Sequence, residues 1–214
     1  MRVWLIGLLS VLLVVSAAAG HHDLIIVNGL VIDGSGAPGA RADVAVDDGR
    51  ITAVGGLGTE TTADTVIDAR GQVVCPGFID VHTHADESLL ENRLAENFTR
   101  DGVTSLVTGN CGGNFWPVGA FLASCEEGGV ALNVATLVGH NTVRRRVVGS
   151  GDVRATPEQL RQMEILVAQA MFEGAVGLST GLIYTPGTYT DTEEIIALAR
   201  ELLRDPATRA RVRD

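Results

Sequence analysis

Two rhythms of apolar and polar positions divide the chain. Up to Val74, short β-branched runs are separated by Gly- and Asp-containing turns, the pattern of strands joined by tight connections. Residues 24–27 and 30–32 flank Asn28-Gly29, which predicts a hairpin because both residue types tolerate positive φ. Residues 44–46 and 50–54 flank Asp47-Asp48-Gly49, a second predicted hairpin, and residues 65–68 with 72–74 form a further pair. The expectation over residues 20–74 is a small antiparallel sheet.

From residue 75 the rhythm changes to strand followed by helix. Strands are predicted at 78–82, 103–107, 132–138 and 175–179, and helices at 89–100, 118–127, 156–173 and 191–203. Thr156 is placed to cap the longest helix, with Pro157 in its first turn. Strand and helix in alternation argue for a parallel sheet. Four such units are half of a closed (β/α)₈ barrel, which has eight and typically takes about 250 residues. The fold class expected is therefore α/β: about four of eight units of a TIM barrel over residues 75–200, preceded by strands of a small β-domain.

The first 19 residues read as a leader rather than as part of the fold. Arg2 precedes an apolar run over 3–15, and Ser16-Ala17-Ala18-Ala19 supplies small residues for cleavage after Ala19. A signal peptide implies a secreted or periplasmic protein with no stable membrane association after cleavage.

Composition narrows the chemistry. The 214 residues are 46% hydrophobic, enough for a packed core, and the net charge of -10 argues against nucleic acid. The one basic run, Arg144-Arg145-Arg146, reads as a solvated loop. The chain contains no lysine, which removes a Schiff-base lysine, a P-loop lysine and a carbamylated metal-bridging lysine together. Three cysteines give no disulfide framework.

The strongest chemical signal is Phe78-Ile79-Asp80-Val81-His82-Thr83-His84. Side chains two apart on a strand share a face, so His82 and His84 are expected to point together at the mouth of the barrel, spaced to bind one metal ion. Gly109-Asn110-Cys111-Gly112 follows the second strand; its glycines permit a sharp turn that carries a thiol over the same mouth. Cys75 and Cys125 lack such a setting and read as packing residues.

These two stretches resemble the D-aminoacylase (N-acyl-D-amino-acid deacylase) family of the amidohydrolase superfamily. Residues 76–84 are similar to its first-strand motif, and residues 109–112 to the segment that places a cysteine where relatives use a carbamylated lysine. Residues 137–142, 177–187 and 24–58 are also similar to parts of that family, the last to a small β-sandwich domain flanking the barrel. The resemblance implies zinc, one or two ions, held in part by His82, His84 and Cys111. It also implies N-acyl-D-amino acids as the small-molecule substrate. Asp86, His140, Ser179 and Tyr184 match positions that line the pocket or support the ligands, Tyr184 as a hydrogen-bond donor to a substrate carboxylate. Ala85 departs from an acidic residue usual there.

The catalytic aspartate and two further histidine ligands of the family belong to later strands, so the acid/base aspartate is expected beyond residue 214. Residues 201–214 are Arg-rich and carry no histidine or strand-like run. They read as a divergent tail, and the chain as a truncated copy, inactive alone. Two other readings stay open: a non-catalytic metal-binding half-barrel, and another amide hydrolase of the superfamily.

Overall fold

The structure, a computed structural model, describes residues 20–204. The expected leader (residues 1–19) and residues 205–214 of the tail lie outside the described residues. The chain divides into two compact units, one ending at Pro76 and the other beginning at Gly77.

The first unit is one five-stranded sheet: β1 (His21–Val31), β2 (Ala40–Asp47), β3 (Arg50–Gly55), β4 (Thr62–Asp68) and β5 (Val73–Val74). The β2–β3 hairpin forms as expected, with Asp48 at φ 50° and Gly49 at φ 69° in its two-residue loop. Asn28-Gly29 does not reverse the chain. β1 runs straight through it, and the dipeptide forms a bulge against β2 with Asn28 at φ 64°. Asp43 Oδ1 accepts the Asn28 N–H (2.9 Å) and Asp68 Oδ1 accepts from its side-chain amide (3.0 Å), so the sheet consumes the turn signal. The third expected pair fails too. β4 and β5 both lie parallel to β1 rather than against each other, and the sheet is mixed, not antiparallel. Ile25, Val44, Ala45 and Ala69 are its buried apolar residues.

In the second unit every strand pairing is parallel. β6 (Phe78–Asp80), β7 (Val103–Thr108) and β8 (Asn133–Thr136) form one sheet; β9 (Val138–Gly139) and β10 (Leu178–Ser179) pair separately. The third expected strand is thus split at Leu137, where the backbone changes partner. Leu137 N–H bonds to Thr108 C=O, while Val138 N–H bonds to Gly177 C=O. The order β6, β7, β8/β9, β10 is that of four successive barrel units.

The helices are α1 (Asp86–Glu91), α2 (Glu96–Thr99), α3 (Val118–Gly128), α4 (His140–Val147), α5 (Pro157–Phe172) and α6 (Thr192–Leu202). α5 begins with the expected cap: Thr156 Oγ1 accepts the Gln159 N–H (3.2 Å) and Gln159 Oε1 accepts the Thr156 N–H (2.9 Å). Asp191 caps α6 with a single bond, its Oδ1 accepting the Glu194 N–H (3.0 Å). The single helix expected over 89–100 is broken into α1 and α2. Ala95 is left-handed (φ 44°), and Arg93 is drawn to α3, donating to Ser124 C=O (2.9 Å) and accepting from Ala131 N–H (2.8 Å). Helix-favouring composition does not register such a tertiary pull. At the other end, α6 carries helix into the first two residues of the expected tail.

Two apolar clusters hold these layers. Leu89, Leu106, Phe121, Cys125 and Leu132 pack α1 and α3 onto the sheet; Val138, Val143, Met163, Val167 and Leu198 pack α4, α5 and α6 behind β9. Cys125 packs as expected, and burial pushes its thiol pKa up. Cys75 is exposed, contrary to the packing role expected of it.

The largest correction concerns Arg144-Arg145-Arg146. They lie on α4, not in a loop, and Arg144 is fully buried. Its guanidinium pairs with Glu194 on α6 and donates to Val153 C=O (2.5 Å) and Tyr189 C=O (3.4 Å). Glu194 also meets His140 Nε2 at 2.8 Å. Burial opposes the charge on Glu194, but hydrogen bonds from His140, Thr190 and Arg144 outweigh it and hold the carboxyl below its ordinary pKa.

Candidate metal centre

β6 ends at Asp80, so His82 and His84 stand on the segment leaving the strand rather than within it. Their alternation survives all the same. Both are exposed on either side of the buried Thr83, whose N–H reaches Val107 C=O (3.4 Å). Asp80 Oδ1 accepts the His82 N–H (3.0 Å), which fixes the turn out of the strand. The two imidazoles lie 5.6 Å apart between centroids, inclined at 68°.

Cys111 arrives from the end of β7. Gly109 (φ 76°), Cys111 (φ 55°) and Gly112 (φ 79°) are all left-handed, a conformation that glycine adopts freely and cysteine does not. Neither glycine has room for a side chain: a Cβ on Gly109 would stand 2.2 Å from Leu137 O, and one on Gly112 2.8 Å from the Asn141 amide. The buried Asn110 side chain donates to Val107 C=O (2.8 Å) and Thr83 C=O (3.3 Å), and so joins the cysteine loop to the histidine segment. The outcome is a cluster in which the donor atoms of His82, His84 and Cys111 all lie within 4.8 Å of one another. Cys111 Sγ stands 3.3 Å from His82 Nε2. Two ligands of one tetrahedral zinc, with Zn–N near 2.0 Å and Zn–S near 2.3 Å, stand about 3.5 Å apart. The donor set fits a zinc-type ion in both chemistry and spacing.

The other expected site residues divide. Asp86 Oδ1 accepts the Gly109 N–H (3.1 Å), anchoring the entry to the cysteine loop. Ser179 bonds to the same loop from β10, accepting the Gly112 N–H (3.0 Å) and donating to Gly109 C=O. Tyr184 borders a cavity of about 220 Å³ beside the cluster, together with His84, Cys111, Asn141 and Arg145. His140 does not reach that cavity. It is fully buried, with Nε2 on Glu194 and Nδ1 3.1 Å from Asn141 Oδ1.

Three residues were missed from the sequence. Asn110 was visible only as a loop residue between glycines. Asn141 donates to Gly181 C=O (3.1 Å) and gave no signal of its own. Arg145 was hidden because α4 itself was not predicted.

Residues 65–210 match the sequence model of the Amidohydrolase family. The chain belongs to the amidohydrolase family. This amidohydrolase is 40% identical over 203 residues to a D-aminoacylase of Alcaligenes xylosoxydans xylosoxydans, an alignment covering 84% of the chain and 42% of the relative. Among solved structures, a D-aminoacylase described as defining a novel subset of amidohydrolases superposes with a TM-score of 0.81 at 38% identity, over 86% of this chain and 43% of that one. The N-acyl-D-glutamate deacylase of Bordetella bronchiseptica, solved with zinc and a phosphonate inhibitor, gives 0.82 at 36% identity, over 86% and 44%. The amidohydrolase thus spans about two fifths of the length of the relatives it matches, and its four β/α units are part of their TIM-barrel fold.

Proposed function

We propose that this chain carries the His-His-Cys side of the zinc centre of an N-acyl-D-amino-acid deacylase. The observation that carries the reading is the convergence of His82, His84 and Cys111, two of them from one strand end and the third from the next. A zinc ion held there would supply the Lewis acidity for hydrolysis of a linear amide bond. His82 and His84 serve as neutral nitrogen donors, and Cys111 as a thiolate. Asp86, Asn110 and Ser179 hold the loop that presents the thiolate. Tyr184 and Arg145, on the wall of the adjacent cavity, supply a hydroxyl donor and a positive charge to orient the carboxylate of an N-acyl amino acid. The proton-transfer carboxylate and the remaining ligands come, in this reading, from strands that follow β10 in the complete barrel. His82, His84 and Cys111 are the part of the metal-holding site that lies within residues 20–204. In this reading residues 1–19 serve as a leader for export, and the site works outside the cytoplasm.

The test is to measure bound zinc and the hydrolysis of N-acetyl-D- and N-acetyl-L-amino acids by the 214-residue chain at verified mass. Zinc bound through Cys111 is the expected result. D-selective turnover abolished by Cys111→Ala would support the deacylase reading directly, and L-selective turnover would overturn it. A chain that binds no zinc would overturn the metal centre.

A further inference from the structure

The loop bearing Cys111 is unusual in needing three left-handed residues among four, one of them the cysteine itself. Something must hold it there, and much of that holding comes from far along the chain. Ser179, 68 residues after Cys111 in sequence, uses one hydroxyl for two bonds. It accepts the N–H of Gly112 at 3.0 Å and donates its proton to the C=O of Gly109. These groups flank Cys111 on its two sides, so the hydroxyl closes a bridge across the base of the turn. Ser179 is itself fixed by β10, where it pairs with Gly139 of β9. Two residues on, Gly181 lies so close that a Cβ there would stand 2.0 Å from the Cys111 carbonyl oxygen.

We propose that Ser179 is a positioning residue for the Cys111 thiolate: its hydroxyl bridge sets the left-handed turn that aims the sulfur at His82 and His84. This rests on the metal-centre reading above and assigns Ser179 a task other than lining the substrate pocket. A serine hydroxyl has one proton, and that proton is committed to Gly109, which leaves none to donate to a substrate. The bridge also explains how β10 contributes to the placing of three donors that stand after β6 and β7. Removing a group that orients a metal ligand lowers metal affinity by on the order of 10- to 100-fold.

The experiment uses cobalt(II) as the probe on the 214-residue chain, reading the thiolate-to-cobalt charge-transfer absorption and the affinity by chelator competition. Ser179→Thr keeps the hydroxyl, Ser179→Val has the same shape without it, and Ser179→Ala removes it without added bulk. Far-UV circular dichroism checks that each is folded. In the wild type we expect a charge-transfer band that Cys111→Ala abolishes. Ser179→Val and Ser179→Ala are expected to weaken the band and reduce affinity by about tenfold, with Ser179→Thr close to wild type. Wild-type band and affinity in both hydroxyl-free variants would overturn the proposal. So would a threonine variant as weak as the valine one, since bulk and not the hydroxyl would then be at work. A wild-type chain with no thiolate band would instead sink the metal centre itself, and the positioning role with it.

Discussion

Removing the Glu194 carboxylate should be among the most damaging single changes in the second unit. Glu194 is 4% exposed and Arg144 fully buried, and the two are paired between α6 and α4. In Glu194→Ala the guanidinium keeps the carbonyls of Val153 and Tyr189, but these neutralise no charge. His140 loses its Nε2 partner at the same time. Breaking a buried pair from one side costs about 3–5 kcal/mol, because a desolvated charge is left uncompensated. With a urea slope of about 2 kcal/mol/M, the unfolding midpoint should fall by roughly 1.5–2.5 M. Trp116 fluorescence follows this unit, since the indole stacks under Arg146 of α4 at 5.2 Å. A matched Arg144→Met/Glu194→Ala double variant should lose less than the sum of the single variants, because the orphaned charge is gone. The pair also sets a pH dependence. The folded pKa of Glu194 lies below its ordinary value of 4.5, so its contribution is complete above that pH and fades as pH falls through the folded pKa. Glu194→Gln should lack this part of the acid sensitivity. A loss under about 1 kcal/mol in Glu194→Ala would refute the reasoning, since the buried guanidinium would then have found water or another partner.

Other outcomes follow from the same geometry. Thr156→Ala removes the capping box of α5 and should lower stability by about 1 kcal/mol in urea unfolding, with α5 still formed. Gly181→Ala drives a Cβ into the Cys111 carbonyl, which should cost about 1–3 kcal/mol and weaken cobalt binding; an unchanged affinity would show that the loop moves freely. Zinc at a hundred times its dissociation constant should raise stability by about 2.7 kcal/mol, seen as a higher Tm that EDTA or Cys111→Ala removes. Apart from the geometry, the leader proposed for residues 1–19 is checked by N-terminal sequencing of the secreted fraction, with Gly20 expected as the first residue and Met1 refuting it.

What the sequence determined by itself was local or periodic. His82 and His84 could be placed on one face because alternation two residues apart is a property of extended backbone, and it holds even past the end of β6. Thr156 could be read as a cap because a cap is satisfied within one helical turn. The Asp48-Gly49 hairpin formed because its one distant side-chain partner, Asp23, accepts the Asp48 N–H (2.7 Å) without drawing the turn out of shape. Asn28-Gly29 carries an equally strong turn signal, yet Asp43 and Asp68 bind its amides from two neighbouring strands and make it a bulge. Only the tertiary structure could decide that, since the deciding partners lie 15 and 40 residues away. The same holds for Arg144. An arginine run reads as solvated because burying a charge is unfavourable, until a carboxylate 50 residues later is folded against it. In the metal centre, the chain names the donors, but the angle at which Cys111 presents its sulfur depends on a hydroxyl from β10. No window of sequence contains both ends of that bond, because folding brings them together.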